Sequence, residues 1–420
     1  MEKYFGRLLL KKDINSSVST DNFAKIAGMI ELNNEKIRCA RCGTEHQKPD
    51  VQLAIGSFYC PTCINLGRVR SDEFLYQLPQ KTFPQHSYLR WDGTLITYQQ
   101  KISDTLVSQT KNPSKVLVQA VTGSGKTEMT YSMIEQCLKN GGTVAFVSPR
   151  IDVCIELHKR LSHDFYCEIP LLHGAGQPYF RAPLIIATTH QLLRFREAFD
   201  LLIVDEVDAF PFVDDPMLYF AVEKARKLDS SLVYLTATST DFLDKQVKKR
   251  VLHKLELSHR FHGNPLIVPQ FFWQTKFIKL FKKQRATGFP LLIFAPVIAF
   301  GENFAQDLQK QFPDEKIAFV ASTTKNRLEI VEKFRTGSLS VLVSTTILER
   351  GVTFPSVDVF VIKAEHQNFT KSALIQIAGR VGRSQERPDG LVYFFHEGRT
   401  KAMVRAVQEI KKSNQKGVLS

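Results

Sequence analysis

Residues Val116–Thr127 read VLVQAVTGSGKT, an apolar strand running into a glycine-rich loop and a Lys-Thr pair. Gly123 and Gly125 let backbone N–H groups approach phosphate oxygens, and a helix starting near Lys126 sets its positive dipole end at the same point. Thr122, Gly123, Ser124, Gly125, Lys126 and Thr127 are therefore expected to bind ATP, with Lys126 on the β- and γ-phosphates and Thr127 on magnesium. The first position of the usual GxxxxGKT pattern is Ala120 here. Further along, the apolar run Leu201–Val204 passes straight into DEVD, Asp205–Asp208. Carboxylates at the end of a buried strand suit phosphoanhydride hydrolysis: Asp205 on magnesium, Glu206 orienting and deprotonating the attacking water. A solvated acidic turn or a P-loop kinase are the competing readings. The placement after a strand argues against the first, and the motifs farther on argue against the second.

Toward the N-terminus, four of the seven cysteines form a pattern. CARC (Cys39, Cys42) and CPTC (Cys60, Cys63) have seventeen residues between them, inside the spacing of paired-knuckle zinc sites. Four Cys ligands leave no open coordination position, so the metal is read as structural. Loss of a ligand is expected to unfold this module and leave the rest folded. A disulfide framework needs an oxidising compartment, for which nothing argues. Cys137, Cys154 and Cys167 read as small core residues.

A length of 420 residues with 43% hydrophobic composition supports two or three cores and excludes a mainly disordered chain. The net charge of +14 favours a polyanionic partner, nucleic acid first. The longest apolar run, Leu291–Phe300, is about half the ~20 residues that cross a bilayer, and the opening MEKYFGRLLLKKD lacks a signal-peptide core. The chain is expected in the cytoplasm. A homo-oligomer is compatible with the sequence.

Continuous apolar runs recur with helical segments between them: 116–119, 143–147, 184–187, 201–204 and 232–235, then 291–294, 317–320, 341–343, 359–362 and 391–395. Strands that read this way are buried on both faces, and alternation with helices implies parallel sheets. The expected organisation is an N-terminal region with the zinc module (1–88), two α/β lobes (89–260 and 261–400) and a basic tail (401–420).

Three later strings follow the first two in order: TAT at Thr236–Thr238, TTILERGVTFP at Thr345–Pro355 and QIAGRVGR at Gln376–Arg383. Together the five resemble the ATPase core of superfamily-two helicases and translocases, whose fold is two RecA-like lobes. The resemblance implies that Arg380 and Arg383 act as arginine fingers, that Arg350 and Gly351 sense nucleotide and nucleic-acid backbone together, that Thr236 and Thr238 couple hydrolysis to DNA contact, and that Gln100, with Gln99 beside it, reads adenine.

DNA contact is expected from strand-end loops: Ser148 with Pro149 and Arg150, His173 with Gly174, Thr188 with Thr189, and Thr345 with Thr346. There, small hydroxyl residues and exposed N–H groups can grip phosphates without reading sequence. A second candidate is a linker, 241–285, with eleven Lys or Arg against three acids and Phe271, Phe272 and Trp273 among them. Lys248, Lys249 and Arg250 would meet phosphates and an aromatic would stack on a base; a solvated helix face is the plain alternative.

The four-Cys module ahead of the motor, the LHG stretch Leu172–Gly174, the GRVGR form of the last motif and the compact length resemble the ComFA family of competence ATPases over nearly the whole chain. PriA-type helicases share much of the motor but are longer and carry their cysteines near the second lobe. The resemblance implies ATP, Mg2+ and Zn2+ as cofactors, single-stranded DNA as substrate, and attachment at the inner face of the cytoplasmic membrane through an uptake channel and a small competence partner. An RNA-remodelling ATPase, which would more typically have His where Gln376 stands, and a nucleotide-gated scaffold remain alternatives.

Overall fold

The structure, a computed structural model, describes residues 1–111, 114–174, 176 and 178–419. It divides into two compact units: Met1–Gln119 with Thr127–Leu255, and Ala120–Lys126 with the chain from Glu256 onward.

The first unit opens with β1 (Leu8–Leu10), β2 (Ala24–Ala27), β3 (Met29–Glu31), β4 (Lys36–Cys39), β5 (Glu45–Gln47) and β6 (Phe74–Gln77), which form two antiparallel sheets ordered β1-β6-β2 and β3-β4-β5. Then come α1 (Thr97–Lys111), β7 (Lys115–Ala120), α2 (Tyr131–Lys139), β8 (Val144–Ser148), α3 (Ile151–Asp164), β9 (Leu171–Leu172), β10 (Leu184–Thr188), β11 (Phe199–Val204), α4 (Pro216–Ala225), β12 (Arg226–Thr236), α5 (Asp241–Lys248) and β13 (His253–Leu257). The sheet order is β13-β7-β12-β11-β8-β10-β9, parallel from β7 through β9. Every residue of β8 and β10 is buried, as a strand covered by helices on both faces requires.

The second unit holds β14 (Gln270–Trp273), α6 (Phe277–Arg285), β15 (Leu291–Phe294), α7 (Ile298–Gln311), β16 (Ile317–Val320), α8 (Arg327–Arg335), β17 (Val341–Ser344), β18 (Asp358–Val361), α9 (Lys371–Ala378), β19 (Val392–His396) and α10 (Lys401–Leu419). Its sheet, β14-β19-β18-β15-β17-β16, is parallel throughout. All ten expected strands are present, nine of them within about two residues of their expected bounds; β12 is longer, starting at Arg226 rather than Leu232.

Three expectations change. The stretch 241–285 is not a linker: α5, β13, β14 and α6 occupy most of it. The stretch expected as a basic tail carries a helix, α10, whose Met403, Ala406 and Ile410 are buried in the second core. The zinc region is not a separable module either. Cys39, Cys42, Cys60 and Cys63 share one hydrophobic cluster with Leu117, Val147, Leu202 and Val204 of the first sheet. Around the expected boundary at 88 the chain is tied to α2: Glu135 accepts from Ser87 Oγ at 2.6 Å, Tyr88 N at 3.0 Å and Leu89 N at 2.9 Å.

Gly43 shows how closely the knuckle packs. It has φ +75°, and a Cβ there would lie 2.6 Å from the Phe220 ring of α4. Gly43→Leu adds a left-handed strain and a clash with an aromatic, so it is expected to cost about 1–3 kcal/mol. Urea unfolding should show a lower midpoint for the whole first unit; an unchanged midpoint would contradict this packing.

Candidate functional site: phosphate loop, acidic strand end and arginine loop

β7 and β11 belong to one parallel sheet, so the phosphate loop and DEVD leave it at the same edge, where ligands gather in open α/β folds. Gly123 and Gly125 have φ +78° and +76°, a region that glycine enters without steric cost. Lys126 Nζ folds back on the carbonyls of Ala120 (3.1 Å) and Val121 (3.4 Å). Thr122, Ser124 and Thr127 are buried. The helix expected near Lys126 begins later: Thr127 is already αR (φ −66°, ψ −49°), but Glu128–Thr130 is a tight 3-10 turn before α2.

Asp205 is buried at the end of β11, its N–H bonded to Val147 O at 2.8 Å, and its carboxylate accepts from Glu206 N at 2.8 Å. Glu206 takes φ +54°, a left-handed conformation costing roughly 1–2 kcal/mol in a residue with a Cβ. Such strain concentrates at functional positions. The fourth DEVD residue, Asp208, was not singled out from sequence. Thr236 Oγ1 donates to its Oδ1 at 2.9 Å, Thr238 Oγ1 donates to its Oδ2, and all three residues are buried. The signal was there: an acid in the strand-end motif and two hydroxyls at the end of β12, the strand beside β11.

Gln100 is exposed and donates to Asp104 at 2.7 Å, whereas Gln99 is buried and accepts from Ile96 N at 2.9 Å. The two neighbours are thus fixed in different ways at the start of α1.

In the second unit the arginines of QIAGRVGR bond to backbone and hydroxyl oxygens of that unit. Arg380 is buried and donates to Glu349 O at 3.0 Å and to Val352 O. Arg350 is buried against Glu349 Oε1 (3.4 Å) and Ser372 Oγ (3.1 Å). Arg383, half-buried, donates to Gly379 O at 2.9 Å and Thr353 Oγ1 at 3.3 Å. Gly351, between these groups, has φ +73°. Arg260, one of the eleven cations of the 241–285 stretch, is fully buried and donates to Val381 O at 2.8 Å and to Gly382 O. Burial, then the nearby Arg383, lowers its pKa to about 9.

The strand-end loops differ in what they offer. Arg150, His173, Thr345 and Thr346 are half-buried and Gly174 is exposed, while Pro149, Thr188 and Thr189 are buried. Thr189 is fully enclosed. Lys248, Lys249 and Arg250 are exposed at the end of α5. Phe271 and Phe272 do not present free faces for bases: Phe271 meets Phe394 at 6.1 Å between centroids and Phe272 meets Tyr393 at 4.8 Å. Trp273 is 58% exposed.

The four cysteines converge. Their Sγ atoms all lie within 4.8 Å of one another, with Cys39–Cys63 at 3.8 Å, Cys42–Cys60 at 3.5 Å and Cys60–Cys63 at 3.7 Å. A tetrahedral zinc with bonds of about 2.3 Å sets its sulfurs about 3.8 Å apart, so the donor set fits that ion. Arg41, buried beside them, donates to Cys63 Sγ from Nε (3.3 Å) and Nη2 (3.1 Å), as a thiolate cluster of net negative charge favours. Cys137 and Cys154 are buried as core residues, whereas Cys167 is half-buried; burial pushes the Cys137 and Cys154 thiols up to about 12 and that of Cys167 to about 11.

Comparison with known proteins decides the family. A family model described as the competence protein ComFA N-terminal domain matches residues 3–77, one described as type III restriction enzyme, res subunit, matches 92–241, and the helicase conserved C-terminal domain matches 274–385. A curated relative from Streptococcus pneumoniae, Competence protein ComFA, is 49% identical over 99% of both chains. The chain belongs to the ComFA family. The ComFA protein of Bacillus subtilis is 38% identical over 92% of this chain and 87% of its own. Among solved structures, yeast (S. cerevisiae) Dbp5 bound to RNA and ADP BeF3 matches with TM-score 0.57 at 18% identity, covering 76% of this chain and 91% of Dbp5. Mss116p bound to ssRNA and AMP-PNP matches with TM-score 0.58 at 19% identity, covering 79% and 78%. These likenesses establish the paired-lobe fold, and with the helicase families they make this ComFA-family chain an ATPase of helicase type.

Two expectations follow for the ComFA-family site. Elemental analysis should find one zinc per chain, and Cys60→Ser should lower the melting of the whole first unit rather than release a local transition; well under one zinc in folded protein would refute the ligand set. Asp208→Asn should leave nucleotide binding intact but cut nucleic-acid stimulation of the ATPase about tenfold, the loss of one charged hydrogen bond of ~1.5 kcal/mol. Undiminished stimulation would remove Asp208 from that coupling.

Proposed function

We propose that this protein is an ATP-dependent single-stranded DNA translocase that draws DNA across the cytoplasmic membrane during bacterial competence. The observation that carries the reading is the near-full-length identity to competence proteins of a chain holding a complete set of helicase-type ATPase motifs. Positive charge supports a polyanionic substrate. Among the described residues no helix is long and apolar enough to cross a membrane, so a membrane role depends on partners: an uptake channel and a small competence protein, with the motor peripheral at the inner face.

In this reading Gly123, Gly125 and Lys126 bind the triphosphate, and Gln100 or Gln99 reads adenine. Thr127 and Asp205 would hold Mg2+, which supplies charge neutralisation on the phosphates. Glu206 orients and deprotonates the attacking water. Arg380 and Arg383 act as arginine fingers only after giving up carbonyl partners within their own lobe, which ties hydrolysis to rearrangement of the arginine loop. The loops at Pro149–Arg150, His173–Gly174, Thr188–Thr189 and Thr345–Thr346 hold the strand, and Thr236 and Thr238 pass the hydrolysis state to them through Asp208. Zn2+ on Cys39, Cys42, Cys60 and Cys63 fixes the N-terminal knuckle against the first lobe.

ATPase turnover should rise with single-strand length before saturating, and the protein should displace streptavidin from an end-labelled oligonucleotide. Glu206→Gln should bind ATP yet lose hydrolysis by about 10²-fold or more. Length-independent turnover without displacement would leave a nucleotide-gated scaffold; efficient unwinding of long duplexes would point instead to a PriA-like role, and stronger stimulation by RNA to an RNA-remodelling ATPase.

A further inference from the structure

Between the N-terminal strands and the first sheet lies a cleft of about 980 Å3, near the top of the ~300–1,000 Å3 range of ligand sites. Lys3, Arg7 and Asp13 line it from the N-terminal side and Arg194 from the first lobe, while Pro149, His173 and Thr188 bring the loops after β8, β9 and β10 to its other wall. It therefore continues the strand-end surface assigned to DNA above.

Arg7 is its distinctive group. The guanidinium lies 4.6 Å from the Tyr179 ring centroid and 5.2 Å from that of Phe195. Its Nε is buried and makes no hydrogen bond among the described residues. Burial lowers its pKa to about 10, so it stays charged at neutral pH. A cation held this deep without a bonded carboxylate is costly to the fold, and the cost is met when an anion completes it. Asp13 offsets this charge only in part: it acts on Arg7 and Arg194 at a distance, and its carboxylate accepts from Leu10 N at 3.2 Å, closing the turn after β1. Three cations thus face one engaged carboxylate, and a guanidinium fork matches phosphate oxygens.

We propose that this cleft binds the phosphodiester backbone of single-stranded DNA, with Arg7 on a phosphate and the Tyr179 and Phe195 rings holding its guanidinium, so that the N-terminal region extends the DNA path of the first lobe. The inference rests on the translocase reading above.

The test is fluorescence anisotropy of labelled oligothymidylates of increasing length, titrated with KCl, on the full chain. Arg7→Met keeps an unbranched apolar stem between the rings and removes the charge. It should weaken binding about tenfold on the longer oligomers and reduce the log–log salt slope by about 0.7 for the lost phosphate. Lys3→Ala, at the exposed rim, should shift slope and affinity in the same direction and decides the matter if Arg7→Met does not fold. Unchanged slope and affinity in the folded variants, with the wild type binding normally, would overturn the cleft alone. A wild type that binds no single strand would overturn the translocase reading itself. If Arg7→Met instead loses binding to phosphatidylglycerol vesicles while its DNA slope is unchanged, the cleft takes lipid headgroups and the proposal fails.

Discussion

A parallel strand, covered by helices on both faces, can place chemistry only at its ends. Its backbone groups are spent on neighbours and its side chains on two apolar layers, so polar function moves to the loops, and parallel order puts the loops that follow the strands at one edge. In the first sheet, β7 ends in the phosphate loop, β8 in Ser148–Arg150, β10 in Thr188–Thr189, β11 in DEVD and β12 in the TAT hydroxyls. The Asp208 carboxylate bridging Thr236 and Thr238 is a direct product of that order, because β11 and β12 are neighbours.

The second unit meets a different demand. Arg260, Arg350 and Arg380 are all buried, and a buried charge persists only where donors find acceptors. Backbone carbonyls supply most of them, at Val381 and Gly382 for Arg260 and at Glu349 and Val352 for Arg380. The arginine loop is therefore held by its cations. A residue that stabilises transition-state charge in one state can brace the loop in another, and moving it requires breaking several charge-assisted bonds together.

What was legible in the sequence follows from the same physics. Continuous apolar runs marked the central strands because full burial leaves no polar positions to confuse the pattern. The missed strands are short or lie at sheet edges: Leu171–Leu172 has two residues, while His253–Leu257 and Gln270–Trp273 sit among charges. Basic composition made 241–285 look like a nucleic-acid surface, yet Phe271 and Phe272 face aromatic partners on the neighbouring strand, a pairing that becomes visible only once β14 and β19 are side by side. The DEVD string contained Asp208 as well as Asp205 and Glu206, but its partner Thr236 lies 28 residues away and is tied to it only once β11 and β12 are neighbours; Arg260 acts through a partner 121 residues away, beyond any local pattern.

The N-terminal region is the clearest case of tertiary context overruling a modular reading. Cysteine spacing correctly predicted convergence of the thiols, since two tight knuckles need only local geometry. It could not predict that the knuckle would be set into the first lobe, with Lys224 Nζ bonding Leu193 O at 3.0 Å and also Arg41 O, and with Gly43 flat against Phe220. Arg41 carries the link inward, because the side chain that donates to Cys63 belongs to the residue whose carbonyl receives Lys224. The thiol cluster and the lobe packing therefore share one residue, Arg41, and Cys63 of that cluster lines the same cleft as Arg7.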